Sequence, residues 1–227
     1  MVIPMSEESN PCIDRDACRS RLLKYTRKAW EMLPPIQEPR ILDIGCGSGL
    51  PTIELARWSK GTVVGLDIDQ AALDLLAARA RAEGLEARVE VRSCSLFDID
   101  LPEGSFDIIW AEGALNDIGF NRALREWRRL LRPDGFLVVH DDARDLDRKL
   151  SSIVTNGYEL VGYFQLPDDA WWVDYYGPLK EEMRERRKAR VGDSGARATM
   201  DAIQAEIDQY RASPEEFRSV FIAMRRS

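Results

Sequence analysis

Hydrophobic positions along the chain switch repeatedly between a helical and a strand-like period. Residues 15–33 place Leu22, Leu23, Ala29, Trp30 and Leu33 on one side of a helix that Pro34 and Pro35 stop. RILDIG (40–45) is a short apolar run ending at glycine, as a strand buried on both faces does. Residues 50–58 return to a helical pattern, with Pro51 in the first turn, where its missing N–H costs nothing. The alternation continues with a strand at GTVVGLDI (61–68), a helix at 70–83 ended by Gly84, and a strand at RVEVR (88–92). A strand at FDIIWA (106–111), a helix at 121–131 and a strand at GFLVVH (135–140) follow. This alternation predicts βαβ units, hence a parallel sheet covered on both faces.

After Leu150 the pattern loosens. YELVGYFQ (158–165) and FRSVFIAM (217–224) read as two further strands. The roughly 50 residues between them exceed an ordinary connection in a compact domain. Pro178 with Glu181 and Glu182 marks a helix start, VGDSG (191–195) a break, and Met200, Ile203, Ile207 and Tyr210 a stripe at helical spacing. This segment is either an inserted cap or a partner-binding element. The chain thus divides into a tail and helix (1–35, the first dozen residues frayed), a core (36–166), a helical insertion (167–213) and a final strand (214–227).

Composition excludes several classes. The 227 residues are 44% apolar and 31% charged, so fibrous and wholly disordered readings drop out. A net charge of −7 repels phosphate backbones and argues against a nucleic-acid partner. The basic run RERRKAR (184–190) reads as a solvated helix face. Cys12, Cys18, Cys46 and Cys94 have neither zinc spacing nor the density of a disulfide scaffold, which fits a reduced, cytoplasmic protein. The polar N-terminus has no secretory pattern, and no apolar run reaches membrane-spanning length, so no membrane partner is expected.

The strongest chemical signal is DIGCGSG (43–49), where the first strand turns into a helix. Glycines there let the backbone fold tightly and approach a ligand. Asp67 lies 22 residues after Gly45 at the end of the second strand, placed to accept hydrogen bonds from a ribose diol. Loop and acid together indicate an adenosine-containing cofactor. The spacing is G-x-G-x-G rather than the dinucleotide G-x-G-x-x-G, and the carboxylate of Asp43 beside it suits a cationic ligand better than a pyrophosphate.

Here the sequence resembles the class I S-adenosylmethionine-dependent methyltransferases, from about Arg40 to His140. LDIGCGSG is similar to that family's first motif and GLDID to its ribose-binding motif. LPEGSFDIIWAEGAL (101–115) and EWRRLLRPDGFLVV (126–139) resemble its later blocks, with Pro133-Asp134-Gly135 where Pro-Gly-Gly is usual. The resemblance implies an α/β, Rossmann-like, seven-stranded sheet, mostly parallel with the last strand antiparallel. Helices would cover both faces, with a helical insertion between the last two strands. It also implies S-adenosyl-L-methionine as cofactor and S-adenosyl-L-homocysteine as product. Gly45, Gly47 and Gly49 would lie against the methionine and ribose part, Asp43 would help hold the methionine end, and Asp67 would take the ribose hydroxyls. Ile68 would lie against the adenine and Ser95 and Leu96 at its edge, with Cys46 and Ala111 also in the cofactor site. Ser95 departs from the acidic residue common at its position, and Asp98 is a distant substitute.

Methyl transfer from a sulfonium needs mainly an aligned nucleophile and exclusion of water. Catalytic candidates therefore lie at the strand ends: Glu112 after the fourth strand and His140, the single histidine, after the fifth. A structural histidine is the plainer alternative. Glu112, Asp141 and Asp142 are conceivable metal ligands, but adjacent solvated aspartates are commoner, so no metal is expected. Trp171, Trp172, Tyr175 and Tyr176 make two i, i+4 aromatic pairs that either pack in a core or enclose a substrate. The chain lacks the Asn/Asp-Pro-Pro-Tyr and Pro-Cys signatures of DNA methyltransferases after its fourth strand. The resulting expectation is transfer of a methyl group to a small molecule by in-line displacement, with a homodimer through the insertion possible. The alternatives are a catalytically silent cofactor-binding module or, less favoured by the loop, an NAD-dependent oxidoreductase.

Overall fold

A computed structural model describes residues 13–188 and 194–227. Cys12, the first dozen residues, most of the expected 191–195 break and the end of the basic run lie outside the described residues. Seven strands form one sheet: β1 (Arg40–Ile44), β2 (Thr62–Asp67), β3 (Val89–Ser93), β4 (Phe106–Glu112), β5 (Leu131–Asp142), β6 (Tyr158–Gln165) and β7 (Ser219–Arg226). Their order is β3-β2-β1-β4-β5-β7-β6. The sheet is parallel apart from β7, which runs antiparallel to both β5 and β6. The expected sheet, its antiparallel last strand and its inserted helices are all present.

Alternation along β4 explains the two cores. Ile108 and Trp110 face one side of the sheet and Ile109 and Ala111 the other, all fully buried. The first face packs against α2 (Leu23–Trp30), α3 (Leu50–Ser59) and α4 (Gln70–Ala82). The second packs against α5 (Leu115–Ile118), α6 (Phe120–Trp127) and α7 (Leu146–Thr155). The helix expected at 121–131 ends at Trp127. A 3-10 turn follows, and Leu131 already pairs with Phe106 as the first residue of β5. Likewise β7 starts two residues later than expected, because Pro214–Phe217 forms a 3-10 turn. The short α5, and α7 with its left-handed N-cap Asp145, carried no clear periodic signal.

A third core lies outside the sheet. Ile13 and Cys18, the latter on α1 (Arg15–Arg19), pack with Leu179 and Met183 of α8 (Gly177–Lys188). Met200, Ile203, Ile207 and Tyr210 of α9 (Ser194–Ala212) complete it, so the predicted stripe is a buried seam. The N-terminal helices and the insertion therefore make one cap. Bidentate Arg15–Glu206 contacts (2.6 and 3.1 Å) and an Arg79–Asp16 pair (2.6 Å) trim its edges. Partly exposed pairs of this kind contribute about 0–1 kcal/mol each, so apolar burial is the main adhesive. On α8, Arg184 pairs with Glu181 and Arg186 with Glu182, as a solvated face does.

Gly49 caps α3 at φ +81°, and a Cβ there would lie 2.2 Å from Leu76 Cδ1 on α4. Gly49→Ala combines a left-handed backbone with overpacking and is expected to cost about 2–4 kcal/mol in urea unfolding. A loss under about 1 kcal/mol would show that α3 and α4 are not locked together at this point.

Candidate functional site

At the carboxyl ends of β1 and β2 the glycine loop is clamped to its neighbour. Gly45 and Cys46 donate their N–H groups to the Leu66 carbonyl at 2.7 and 3.0 Å. Gly47, at φ +51°, has nothing within 4 Å of where a Cβ would sit, so the loop presents bare backbone to open space. Asp67 accepts from the Gly47 N–H (2.8 Å) and the Asp69 N–H (3.0 Å), holding the loop and the start of α4 together while keeping further acceptor capacity on both oxygens.

Two cavities meet beside this loop at Gly45, and a third adjoins them at Gly113. The first, about 350 Å³, lies over Asp43, Gly45, Cys46, Gly47 and Glu112 and is roofed by Arg19, Leu22, Leu23, Tyr25 and Thr26. His140, Trp171 and Phe221 close its far side. The second, about 270 Å³, is bordered by Asp67, Ile68, Ser95, Leu96 and Phe97. Ile68 is 74% exposed, an apolar surface without a cover. The third, about 400 Å³, lies beyond His140 under the cap. Gly113 borders all three.

The first cavity holds two enclosed carboxyls. Asp43 is 1% exposed and accepts a 2.6 Å hydrogen bond from Thr52 Oγ1. Burial pushes its carboxyl up to about 7, against the Thr52 hydrogen bond and with help from the charge of Asp67. Glu112 accepts from Trp110 Nε1 (2.7 Å) and Thr26 Oγ1 (3.2 Å). Desolvation also lifts it to about 7, with the charge of Asp43 adding to the effect. Arg19 is the one Lys or Arg bordering this cavity among the described residues, and it lies 3.6 Å from Asp16. The pocket is thus an anionic hole without a dedicated internal counter-charge. Burial beside Asp43 and Asp67 raises the Cys46 thiol, which makes it a wall and not a nucleophile.

His140 stacks on Phe221 (4.4 Å between centroids) and faces Trp171 (6.2 Å). Burial lowers its imidazole to about 4, so it is neutral at physiological pH. Beyond it, Asp141 and Asp142 are bound by Lys149 at 2.6 and 3.1 Å, and Asp142 also by Arg144 at 3.0 Å. These two carboxylates are engaged by internal cations rather than set around a common vacant centre.

The other expected site residues take different places in the fold. Gly49 borders neither of the first two cavities; it serves the packing of α3 on α4. Ala111 is fully buried in the core because Glu112, its neighbour, takes the strand-end position facing the cavity. Ser95 Oγ accepts from the Phe97 N–H (3.3 Å) and shapes its own loop. The four aromatics do not act as a set. Trp172–Tyr176 is a π-helical turn, so Trp171 reaches both Tyr175 and Tyr176 (6.0 and 6.3 Å). Trp171 borders the first and third cavities and Tyr176 the third. Trp172 stacks on Tyr210, and Tyr175 is buried in the cap core. Sequence reasoning missed Thr26, Tyr25, Arg19 and Phe221 as lining residues. The available signals were faint: a threonine within an otherwise apolar helix face, and the strand period of β7.

Residues 42–139 match the family model described as "Methyltransferase domain". A methyltransferase, GfsG, from Streptomyces halstedii is 34% identical over 119 residues, 52% of this chain and 43% of that protein. The matched stretch thus spans under half the length of that relative. The fold is shared with a SAM-dependent methyltransferase from Geobacter sulfurreducens solved with S-adenosyl-L-homocysteine (TM-score 0.72, 21% identity, covering 98% of this chain and 95% of that one). It is also shared with the [4+2]-cyclase SpnF (TM-score 0.74, 22% identity, covering 96% and 85%). The matched residues include the strands and loops that build much of the first two cavities, so the part of the chain that carries the site is similar to a methyltransferase domain.

Proposed function

We propose that the chain transfers a methyl group from S-adenosylmethionine to a small-molecule acceptor by in-line displacement. The carrying observation is the pair of enclosed carboxyls, Asp43 and Glu112, in a cavity that joins the Asp67 cavity at Gly45. A ligand with fixed positive charge beside a ribose suits all three carboxylates, whereas a pyrophosphate would be repelled by them. Bound there, S-adenosylmethionine supplies an electrophilic methyl group on a sulfonium. Asp67 takes the ribose hydroxyls on its remaining acceptor sites, and Ile68, Leu96 and Phe97 cover the adenine. The bare backbone at Gly45 and Gly47 lies against the methionine side. Glu112 and His140 face the acceptor across the first cavity, and the roof from the N-terminal helices keeps water out.

Calorimetry with S-adenosylmethionine and S-adenosylhomocysteine tests the cofactor directly; a folded protein that binds neither would sink the reading. Because the same fold carries a cyclase, the assay should also follow S-adenosylhomocysteine formation with candidate acceptors. Asp67→Ala should weaken binding by roughly 1.5–3 kcal/mol, the range for hydrogen bonds to a charged group. Unchanged affinity would contradict the ribose assignment.

The pH dependence follows from the two carboxyls that stand near 7 in the ligand-free fold. A bound cation favours their ionised forms, so binding draws protons off and affinity rises with pH. The expected gain is about tenfold between pH 6 and 8 for each carboxyl that must ionise, and Asp43→Asn or Glu112→Gln should flatten it. In the ligand-free protein the sign reverses. With folded pKa values above the unfolded ones, stability from these groups falls as pH rises from about 4.5 through 7. A pH-independent affinity in the wild type would remove both carboxyls from the cofactor site.

A further inference from the structure

The third cavity carries information about the acceptor. We propose that the acceptor is a neutral, ring-bearing molecule presenting a hydroxyl to His140, so that the reaction is an O-methylation. This rests on the methyl-transfer reading above.

The cleft opens from the first cavity at Gly113, His140 and Trp171, which border both. Its apolar wall comes from the cap, in Trp171, Tyr176 and Phe217. Flat rings offer an apolar body a large contact at little conformational cost.

Most charges around the cleft have a partner. Asp141 and Asp142 are held by Lys149 and Arg144, Arg218 by Asp168 at 3.0 Å, and Glu216 adds to the field on Arg144. A carboxylate ligand would compete with these partners for Arg144 or Arg218, and an ammonium ligand would compete for every carboxylate but Glu216, while a neutral ligand leaves the pairs intact. The contrast with the first cavity, whose carboxyls lack an internal cation, separates a pocket built for a charged ligand from one built for a neutral ligand.

His140 is the polar group without a partner at the seam. Its Nε2 is closed off from solvent and has no hydrogen bond among the described residues. Such a group is costly to leave unpaired. Glu112, across the first cavity, is engaged on both oxygens by Trp110 and Thr26. A hydroxyl both donates and accepts, so it pairs with an imidazole whichever nitrogen carries the proton. In the transfer, the hydroxyl oxygen gives a lone pair to the methyl carbon, and the carbon–sulfur bond breaks with its electron pair left on sulfur. The hydroxyl proton passes to the imidazole and on to water.

Three probes with one apolar body test this: 1-naphthol, 1-naphthoate and 1-naphthylmethylammonium. Each is titrated by calorimetry at neutral pH into the full chain saturated with S-adenosylhomocysteine, then offered with S-adenosylmethionine. Naphthol should bind at least tenfold more tightly than either ion and yield the methyl ether. His140→Phe keeps the ring stack and S-adenosylhomocysteine binding but should lose that preference. Phe217→Ala, at a residue that packs on Tyr176 and Tyr210 and borders the third cavity but neither of the first two, should weaken naphthol at least fivefold with S-adenosylhomocysteine affinity unchanged. Equal or tighter binding of an ion, no naphthol binding by a protein that holds S-adenosylhomocysteine, or naphthol binding insensitive to Phe217→Ala would each overturn the proposal and leave the cofactor reading standing. Failure to bind S-adenosylhomocysteine at all removes the reading underneath and this proposal with it.

Discussion

A carboxyl enclosed at the end of β4 ties the sheet to the helices that roof it. Glu112 needs hydrogen-bond donors in place of water, and it finds Trp110 Nε1 from its own strand and Thr26 Oγ1 from α2. The second donor arrives only when the N-terminal helices fold over the strand ends. Those helices are in turn held to the insertion: Asp174, buried in the π-helical turn, accepts from Lys24 Nζ at 2.7 Å and Tyr25 Oη at 3.0 Å. Lys24, Tyr25 and Thr26 are consecutive, so one turn of α2 contacts the sheet through Thr26 and the cap through its neighbours. Site electrostatics and cap closure are therefore coupled through a few hydrogen bonds.

The coupling explains why the extra length is split between the two ends of the chain. A parallel sheet exposes its functional edge at the carboxyl ends of the strands. A roof from one segment alone would leave either Glu112 or the aromatic wall unfinished. Here α1, α8 and α9 bury a common apolar seam, and α2 descends from it onto the sheet. Raised carboxyls beneath that roof oppose stability at neutral pH.

Much of this was legible in the sequence, for identifiable reasons. Runs such as RILDIG and FDIIWA are apolar, short for a helix and bounded by turn residues, and glycine at 45, 47 and 49 marks a turn with left-handed backbone. The loop and Asp67 were thus placed on the right strand ends. Ala111 is buried in the core while its neighbour Glu112 borders the first cavity, because strand alternation assigns opposite faces to neighbours and the last residue of β4 was not fixed by pattern. Trp171 to Tyr176 were read on an α-helical wheel, but a π turn adds one residue and redistributes their rings between the cleft and the cap. Thr26 was invisible because its partner, Glu112, is 86 residues away and no local rule connects them.

Bulk charge proved a poor guide and local pairing a better one. A net charge of −7 describes the surface as a whole, yet the carboxyls that bear on chemistry are sorted by whether they have partners. Asp141 and Asp142, adjacent at the end of β5, are neutralised by Lys149 and Arg144 and leave their cleft without net demand for an ion. Asp43 and Glu112, at the ends of β1 and β4, have hydroxyl and indole donors but no cation of their own. Hydrogen bonds satisfy the lone pairs of such groups without supplying the missing charge, which is why burial still prevails and both carboxyls sit near neutrality. Because the fold hosts more than one chemistry, it is this difference in charge balance, rather than the topology, that distinguishes the neighbouring cavities.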